Sequence, residues 1–112
     1  MVAYVVFTRE RLRNNVEYEL YRETARPANE GHELKPLALY GNHEMLEGPA
    51  IEGAVILEFA SMEAARTYYH GAAYQEAVKH RFLAADYRVF IVEGVQAGAP
   101  VSGDQGKPKT ID

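Results

Sequence analysis

The sequence predicts an α+β domain: a four-stranded antiparallel sheet with helices on one face, in the order strand, helix, strand, strand, helix, strand. Three observations predict it. Four short runs rich in β-branched and aromatic residues (AYVVF, LKPLALY, AVILEF and YRVFIVE) are interleaved with stretches of helical periodicity. Helices that follow the first and third strands can cover only one side of such a sheet. At 112 residues the chain can build a single modest core.

Ala3 to Phe7 reads as the first strand, apolar on both faces, and Thr8 to Arg13 as a charged connector. Asn14 or Asn15 caps the first helix, and Asn14 with Glu17 has the spacing of a reciprocal capping box. Within that helix Val16, Leu20 and Thr24 form one stripe, with Tyr21 and Ala25 beside it. Pro27 kinks or ends it, and Gly31 supplies a left-handed terminator close to His32. Leu34 to Tyr40 is a strand that Pro36 restricts to an edge or a strand start. Gly41–Asn42 marks a turn, His43 to Glu47 is read as continuing the strand, and Gly48–Pro49 opens a loop closing at Gly53. Ala54 to Phe59 is the strongest strand signal, with Val55, Leu57 and Phe59 on one face and Ala54, Ile56 and Glu58 on the other. Ser61 caps a helix through Tyr68, Gly71 breaks it, and helix resumes near Tyr74 with Tyr74, Ala77, Val78, Arg81 and Phe82 on one face. Tyr87 to Glu93 is the last strand, again apolar on both sides. Gln96 to Asp112, with three glycines, two prolines and no aromatic residue, reads as a flexible tail, so the domain spans residues 1–95 and the tail 96–112.

Strands that are apolar on both faces need cover on both. Helices supply it on one side, and an identical sheet from a second copy is the simplest cover for the other. The expectation is a homodimer, sheet against sheet. The net charge of −4 gives no electrostatic reason to expect nucleic acid or an anionic membrane as partner. No apolar run approaches the ~20 residues of a membrane span, and Met1 leads straight into the first strand, so no signal peptide is expected. The absence of cysteine excludes disulfides and thiol chemistry and suits a cytoplasmic protein.

An ordered set of features then resembles a known family: Tyr4, the helix running into Pro27 and Gly31, Leu46–Glu47–Gly48, the signature ILEFASMEAARTYY, Tyr74–Gln75, Arg81 and the closing Val92–Glu93–Gly94. Together they look like the family catalogued as domain of unknown function 1330, over about residues 2–95. The resemblance implies a ferredoxin-like βαββαβ protomer that pairs as a dimeric α+β barrel. Its wider structural relatives include cofactor-free oxygenases, isomerases and haem enzymes, so it implies no particular reaction. The chain departs from the family pattern before Tyr74, where Gly71–Ala72–Ala73 stands in place of Ser-Pro-Glu.

Several side chains invite a chemical reading. The four histidines form no HxH or HExxH pair, so no metal site is expected. No phosphate loop, nucleophile elbow or dinucleotide fingerprint is present, and no cofactor is implied. Tyr68, Tyr69 and Tyr74 either pack as core or line a pocket in which phenols position a small ligand. Glu58 and Glu93 end apolar strands, and Arg81 either pairs with one of them or is left to hold an anionic ligand. His43 and Glu47, on one alternating strand face, are read as an acid/base pair. The site residues so named are His43 and Glu47 as catalytic, and Tyr69, Tyr74, Arg81 and Glu58 as ligand-binding. The functional expectation is a homodimer binding a small, partly apolar molecule between sheet and helices, as a cofactor-free enzyme of proton-transfer, isomerase or oxygenase type. The competing expectation is a non-catalytic structural or interaction dimer without a functional pocket.

Overall fold

A computed structural model describes residues 1–95; Gln96–Asp112, and with it the expected tail, lies outside the described residues. The elements are β1 (Ala3–Leu12), α1 (Asn15–Ala28), β2 (Leu34–Leu39), β3 (Gly53–Phe59), α2 (Met62–His70), α3 (Ala72–Ala84) and β4 (Ala85–Glu93). The strands form one antiparallel sheet in the order β2-β3-β1-β4, the ferredoxin-like arrangement.

Local chemistry accounts for most boundaries. The Asn14 side chain accepts the Glu17 backbone N–H at 3.1 Å. The reciprocal half of the capping box does not form, because the Glu17 carboxylate is turned to His80 Nδ1 at 2.8 Å and so ties α1 to α3. Ser61 Oγ accepts the Ala64 N–H at 3.0 Å and starts α2. Gly71 is extended, at φ −67° and ψ 153°, which separates α2 from α3. Gly31 has φ +83°, a left-handed turn after α1 that costs a glycine little. Pro36 sits on edge strand β2, where its missing N–H breaks no ladder of the sheet interior.

One sheet face is the core. Ala3, Val5 and Phe7 of β1 and Val55, Leu57 and Phe59 of β3 are buried under the helices, together with Ala65, Tyr68, Tyr74, Ala77 and Val78. On the other face Val6 lies opposite Ile56 and Phe90, and Tyr4 opposite Glu58 and Val92. Phe90 and Val92 are 52% and 45% exposed in the single chain. The two-sided apolar character of the strands thus leaves one face of the sheet without helices over it.

Four expectations are corrected. Strand β1 continues through the charged stretch to Leu12, because Arg9, Arg11 and Leu12 still find partners in β4. Residues His43 to Glu47 are not strand; they lie in an exposed connection between β2 and β3. Phe82 is exposed although it follows the buried Arg81 in α3. In α1, Val16 and Leu20 face solvent, and the inward stripe is the neighbouring one that carries Tyr18, Tyr21 and Ala25.

Candidate functional site

Helix α1 packs on α3 more than on the sheet. The space left between α1 and strands β1–β3 is a cavity of about 600 Å³. The helix wall is a single stripe, Tyr18, Tyr21, Arg22, Ala25, Arg26 and Asn29, whose spacing of three and four residues keeps it on one side. Phe7, Val55 and Leu57 of the sheet lie opposite, Tyr68 and Tyr74 come from α2 and α3, and Leu39 and Tyr40 close the β2 side.

The β2 side depends on an irregularity. The register of β2 against β3 shifts between Pro36 and Ala38, so Leu39 lies opposite Val55 rather than one residue earlier in phase. Without this bulge at Leu37, Leu39 would turn to the opposite sheet face, since strand side chains alternate. Tyr40 follows in a left-handed conformation, φ 54°, at a backbone cost of about 1–3 kcal/mol for a bulky residue. Its ring lies over Gly53: a Cβ built there would come within 2.6 Å of Tyr40 Cδ1. Its hydroxyl meets that of Tyr87 at 2.5 Å. Tyr40, Gly53, Arg9 and Tyr87 thus form a row across one end of the sheet.

Arg9 is held between aromatic rings, its guanidinium carbon 4.9 Å from the Tyr40 centroid and 5.2 Å from that of Tyr18. Its side chain is 19% exposed, and its Nε lies 3.2 Å from Glu52 Oε1. That carboxylate oxygen accepts the Leu12 N–H at 2.8 Å instead, and the Arg9 Nε–H has no hydrogen-bond acceptor among the described residues. Desolvation opposes the charge on Arg9, but the combined fields of Tyr18, Tyr87, Tyr40 and Glu52 outweigh it and raise its pKa.

Deeper in, Tyr74 is the hub of an aromatic cluster, with ring centroids of Tyr68, Tyr69, Tyr21 and Phe7 at 5.1, 5.2, 6.2 and 6.4 Å. Its hydroxyl bonds to that of Tyr21 at 2.6 Å, and the Tyr68 hydroxyl donates to Asn29 Oδ1 at 3.0 Å. Burial, first of all, pushes the phenols of Tyr74, Tyr68, Tyr40, Tyr87 and Tyr21 above the usual range. For Tyr74 the neighbouring Tyr21 adds to the rise; for Tyr40 the hydroxyls of Tyr18 and Tyr87 do. These groups are therefore neutral hydrogen-bonding phenols at neutral pH, suited to donate to a ligand oxygen.

The residues singled out in the sequence fall in different places. Tyr74 lines the cavity. Tyr69 touches Tyr74 but faces a smaller hollow of about 280 Å³ beside β4, with His70, Val89, Phe90 and Ile91. Arg81 is 2% exposed, and its Nη2 donates to the Tyr69 hydroxyl at 3.2 Å. It lies 5.1, 5.5 and 6.0 Å from the Tyr87, Phe82 and Phe7 centroids. The expected ion pair with Glu58 or Glu93 does not form; Arg81 Nε and Nη1 have no partner among the described residues. Glu58 lies opposite Tyr4 on the sheet face away from the helices, and Glu93 lies opposite Ala3, four residues along β1 from Phe7. His43 and Glu47 are exposed and line none of the cavity; His43 Nε2 lies 3.2 Å from the Ile51 carbonyl oxygen. Among the described residues no three His, Asp or Glu side chains converge as a metal site would require.

Sequence reading did not single out Arg9, Tyr18, Arg22, Arg26 and Tyr40, which line the cavity. Arg9 reads as part of a charged connector, and the two helix arginines carry no sequence assignment. The signal was present in α1, where Tyr18, Tyr21 and Ala25 share a stripe with Arg22.

A family model described as Domain of unknown function (DUF1330) matches residues 2–95. The chain belongs to this family. Among solved structures it is similar to RPA0582, a protein of unknown function from Rhodopseudomonas palustris, at 24% identity and a TM-score of 0.64, covering 85% of this chain and 83% of that one. An ethyl tert-butyl ether d (ethd) family protein from Bacillus halodurans matches at 14% identity and a TM-score of 0.56, covering 85% of this chain and 100% of that one. SnoaB, a cofactor-independent oxygenase from Streptomyces nogalater, matches at 11% identity and a TM-score of 0.52, covering 88% and 97%. At these identities the likeness is one of fold. No curated protein matches the sequence.

Proposed function

We propose that this DUF1330 protein is a homodimer that binds a small, partly apolar molecule in the cavity between α1 and the sheet. The observation that carries the reading is the cavity itself. About 600 Å³ lined by aromatic and aliphatic groups with a few polar ones is the size and character of a small-molecule site. It is also the place where this chain keeps a left-handed tyrosine and a bulged strand, features that store strain at functional sites. The second copy covers the helix-free sheet face, where Phe90, Val92, Val6 and Ile56 offer an apolar surface to an identical one.

The chemistry that suits such a lining is stabilisation of an oxyanion without a cofactor: phenol O–H groups held neutral by burial, beside arginine, donate to a carbonyl oxygen as negative charge develops on it. This favours an oxygenase or isomerase of the cofactor-free type, the class in which SnoaB, similar in fold, is placed. A base is the missing part, since among the described residues the lining holds no carboxylate or imidazole. His43 and Glu47 are retained as the proposed acid/base pair because they lie on the connection that starts at Tyr40, the exposed edge of the cavity.

The test is native mass spectrometry of gently purified protein, then of the same sample denatured. A dimer carrying a discrete small adduct that leaves on denaturation is the expected result. A monomer, with Phe90→Glu leaving the mass unchanged, would remove the dimer; a variant with Ala25→Trp that keeps the adduct would move the ligand out of the cavity.

A further inference from the structure

Resting on the reading of the cavity as a ligand site, we propose that its ligand is an organic anion with a flat aromatic body, such as an arene carboxylate, its charge taken by Arg9 and Arg26 and its ring by the tyrosines. The first argument is an inversion of charge. The chain as a whole carries 16 acidic against 12 basic side chains and a net charge of −4. Among the described residues the cavity lining nevertheless contains Arg9, Arg22 and Arg26 and no aspartate or glutamate. A random sample of this surface would be acid-rich. A cationic ligand is disfavoured by such a wall.

The second argument is the state of the three guanidinium groups. Arg22 is paired with Glu19 at 3.2 Å, one turn away on the exposed helix side. Arg26 has no ion pair among the described residues. Arg9, largely buried between two rings, is ion-paired with Glu52 at 3.2 Å, yet its Nε–H has no hydrogen-bond acceptor among the described residues. A neutral ligand filling the cavity would strip water from the exposed guanidinium of Arg26 and return nothing, whereas a carboxylate supplies two strong acceptors in the geometry guanidinium prefers. Positions 22, 26 and 29 follow one helix face, so Arg26 and the amide of Asn29 stand along one wall of the cavity that Arg9 also lines. The third argument is shape. Tyr18 and Tyr40 already hold one flat cation between them, and Tyr21, Tyr68 and Tyr74 extend the same aromatic lining inward, a setting that favours a planar apolar body.

The experiment uses two dyes with one skeleton. 8-Anilinonaphthalene-1-sulfonate carries the anion, and N-phenyl-1-naphthylamine is the same molecule without it. Fluorescence titration of the full chain should show the sulfonate binding about tenfold to a hundredfold more tightly than the neutral dye, the range for hydrogen bonds to a charged group. Arg26→Met, on the exposed last turn of α1, is expected to remove most of that difference, with the neutral dye still bound, which also reports an intact cavity. Arg9→Met should do the same, with Arg26→Met as the safer variant because it disturbs no aromatic stack. Ala25→Trp, which fills the cavity from the helix side, should abolish both. Equal affinities for the two dyes, both lost in Ala25→Trp, would overturn the anion proposal and leave the cavity reading standing. Binding of neither dye, or binding that Ala25→Trp does not touch, would overturn both.

Discussion

The hydroxyl pair at the centre of the site gives a quantitative test. Tyr21 Oη and Tyr74 Oη are 2.6 Å apart, and neither has another hydrogen-bond partner among the described residues. Tyr74 is 1% exposed, and burial also raises the pKa of the Tyr21 phenol. Tyr21→Phe and Tyr74→Phe therefore each strand a buried hydroxyl, at a cost of about 1–3 kcal/mol. Removing both takes away donor and acceptor together while the T-shaped packing of the two rings remains, so the double variant is expected to be no less stable than Tyr21→Phe alone. Urea unfolding followed by circular dichroism measures this, with the slope expected to stay constant across the four proteins. In thermal melts each 1 kcal/mol corresponds to roughly 4–8 °C for a domain of this size. Additive losses in the double variant would refute the argument that burial of an orphaned hydroxyl sets the cost.

Three further outcomes are expected. Gly53→Ala places a Cβ 2.6 Å from the Tyr40 ring; overpacking of this kind costs about 1–3 kcal/mol, and an unchanged melting temperature would mean that Tyr40 does not lie over Gly53. Arg81→Met keeps the length of a side chain that is 2% exposed and has no carboxylate partner among the described residues, so the melting temperature should hold or rise; a loss of more than about 2 kcal/mol would reveal a paired charge. Stability should be lost in alkali. Tyr74, Tyr68, Tyr40, Tyr87 and Tyr21 have folded pKa values above that of an unfolded phenol, so above about pH 10 the unfolded chain binds fewer protons and stability falls, by about 1.4 kcal/mol per pH unit for each such group. For these five the rise in phenolate absorbance at 295 nm should coincide with unfolding, and phenolate formation in all of them ahead of the loss of circular dichroism would contradict their burial.

The sequence by itself determined what depends on near neighbours. Periodicity gave the element order; Asn14, Ser61, Gly31 and Gly71 placed four helix boundaries, because a cap or a break acts over three or four residues. Pro36 announced an edge strand by the hydrogen bond it lacks. The apolar alternates on β1, β3 and β4 announced a sheet with two apolar faces, one of which the helices cover. Tyr74, singled out because it sits in a dense run of tyrosines, lines the cavity.

Only the tertiary structure decided the cavity. Its walls come from segments far apart in the chain, and α1 stands off the sheet by an amount no local pattern encodes. Arg9 looked like part of a charged linker because its environment, two aromatic rings from α1 and from the end of β2, exists only once those segments meet. Tyr40 required the bulge at Leu37, and a one-residue shift of register leaves no mark on composition while turning every later side chain to the other face. Arg81 was expected to find a glutamate by charge alone. Strand alternation sent Glu58 to the far side of the sheet and strand length carried Glu93 past its reach, so the folded chain set a guanidinium among aromatic rings instead.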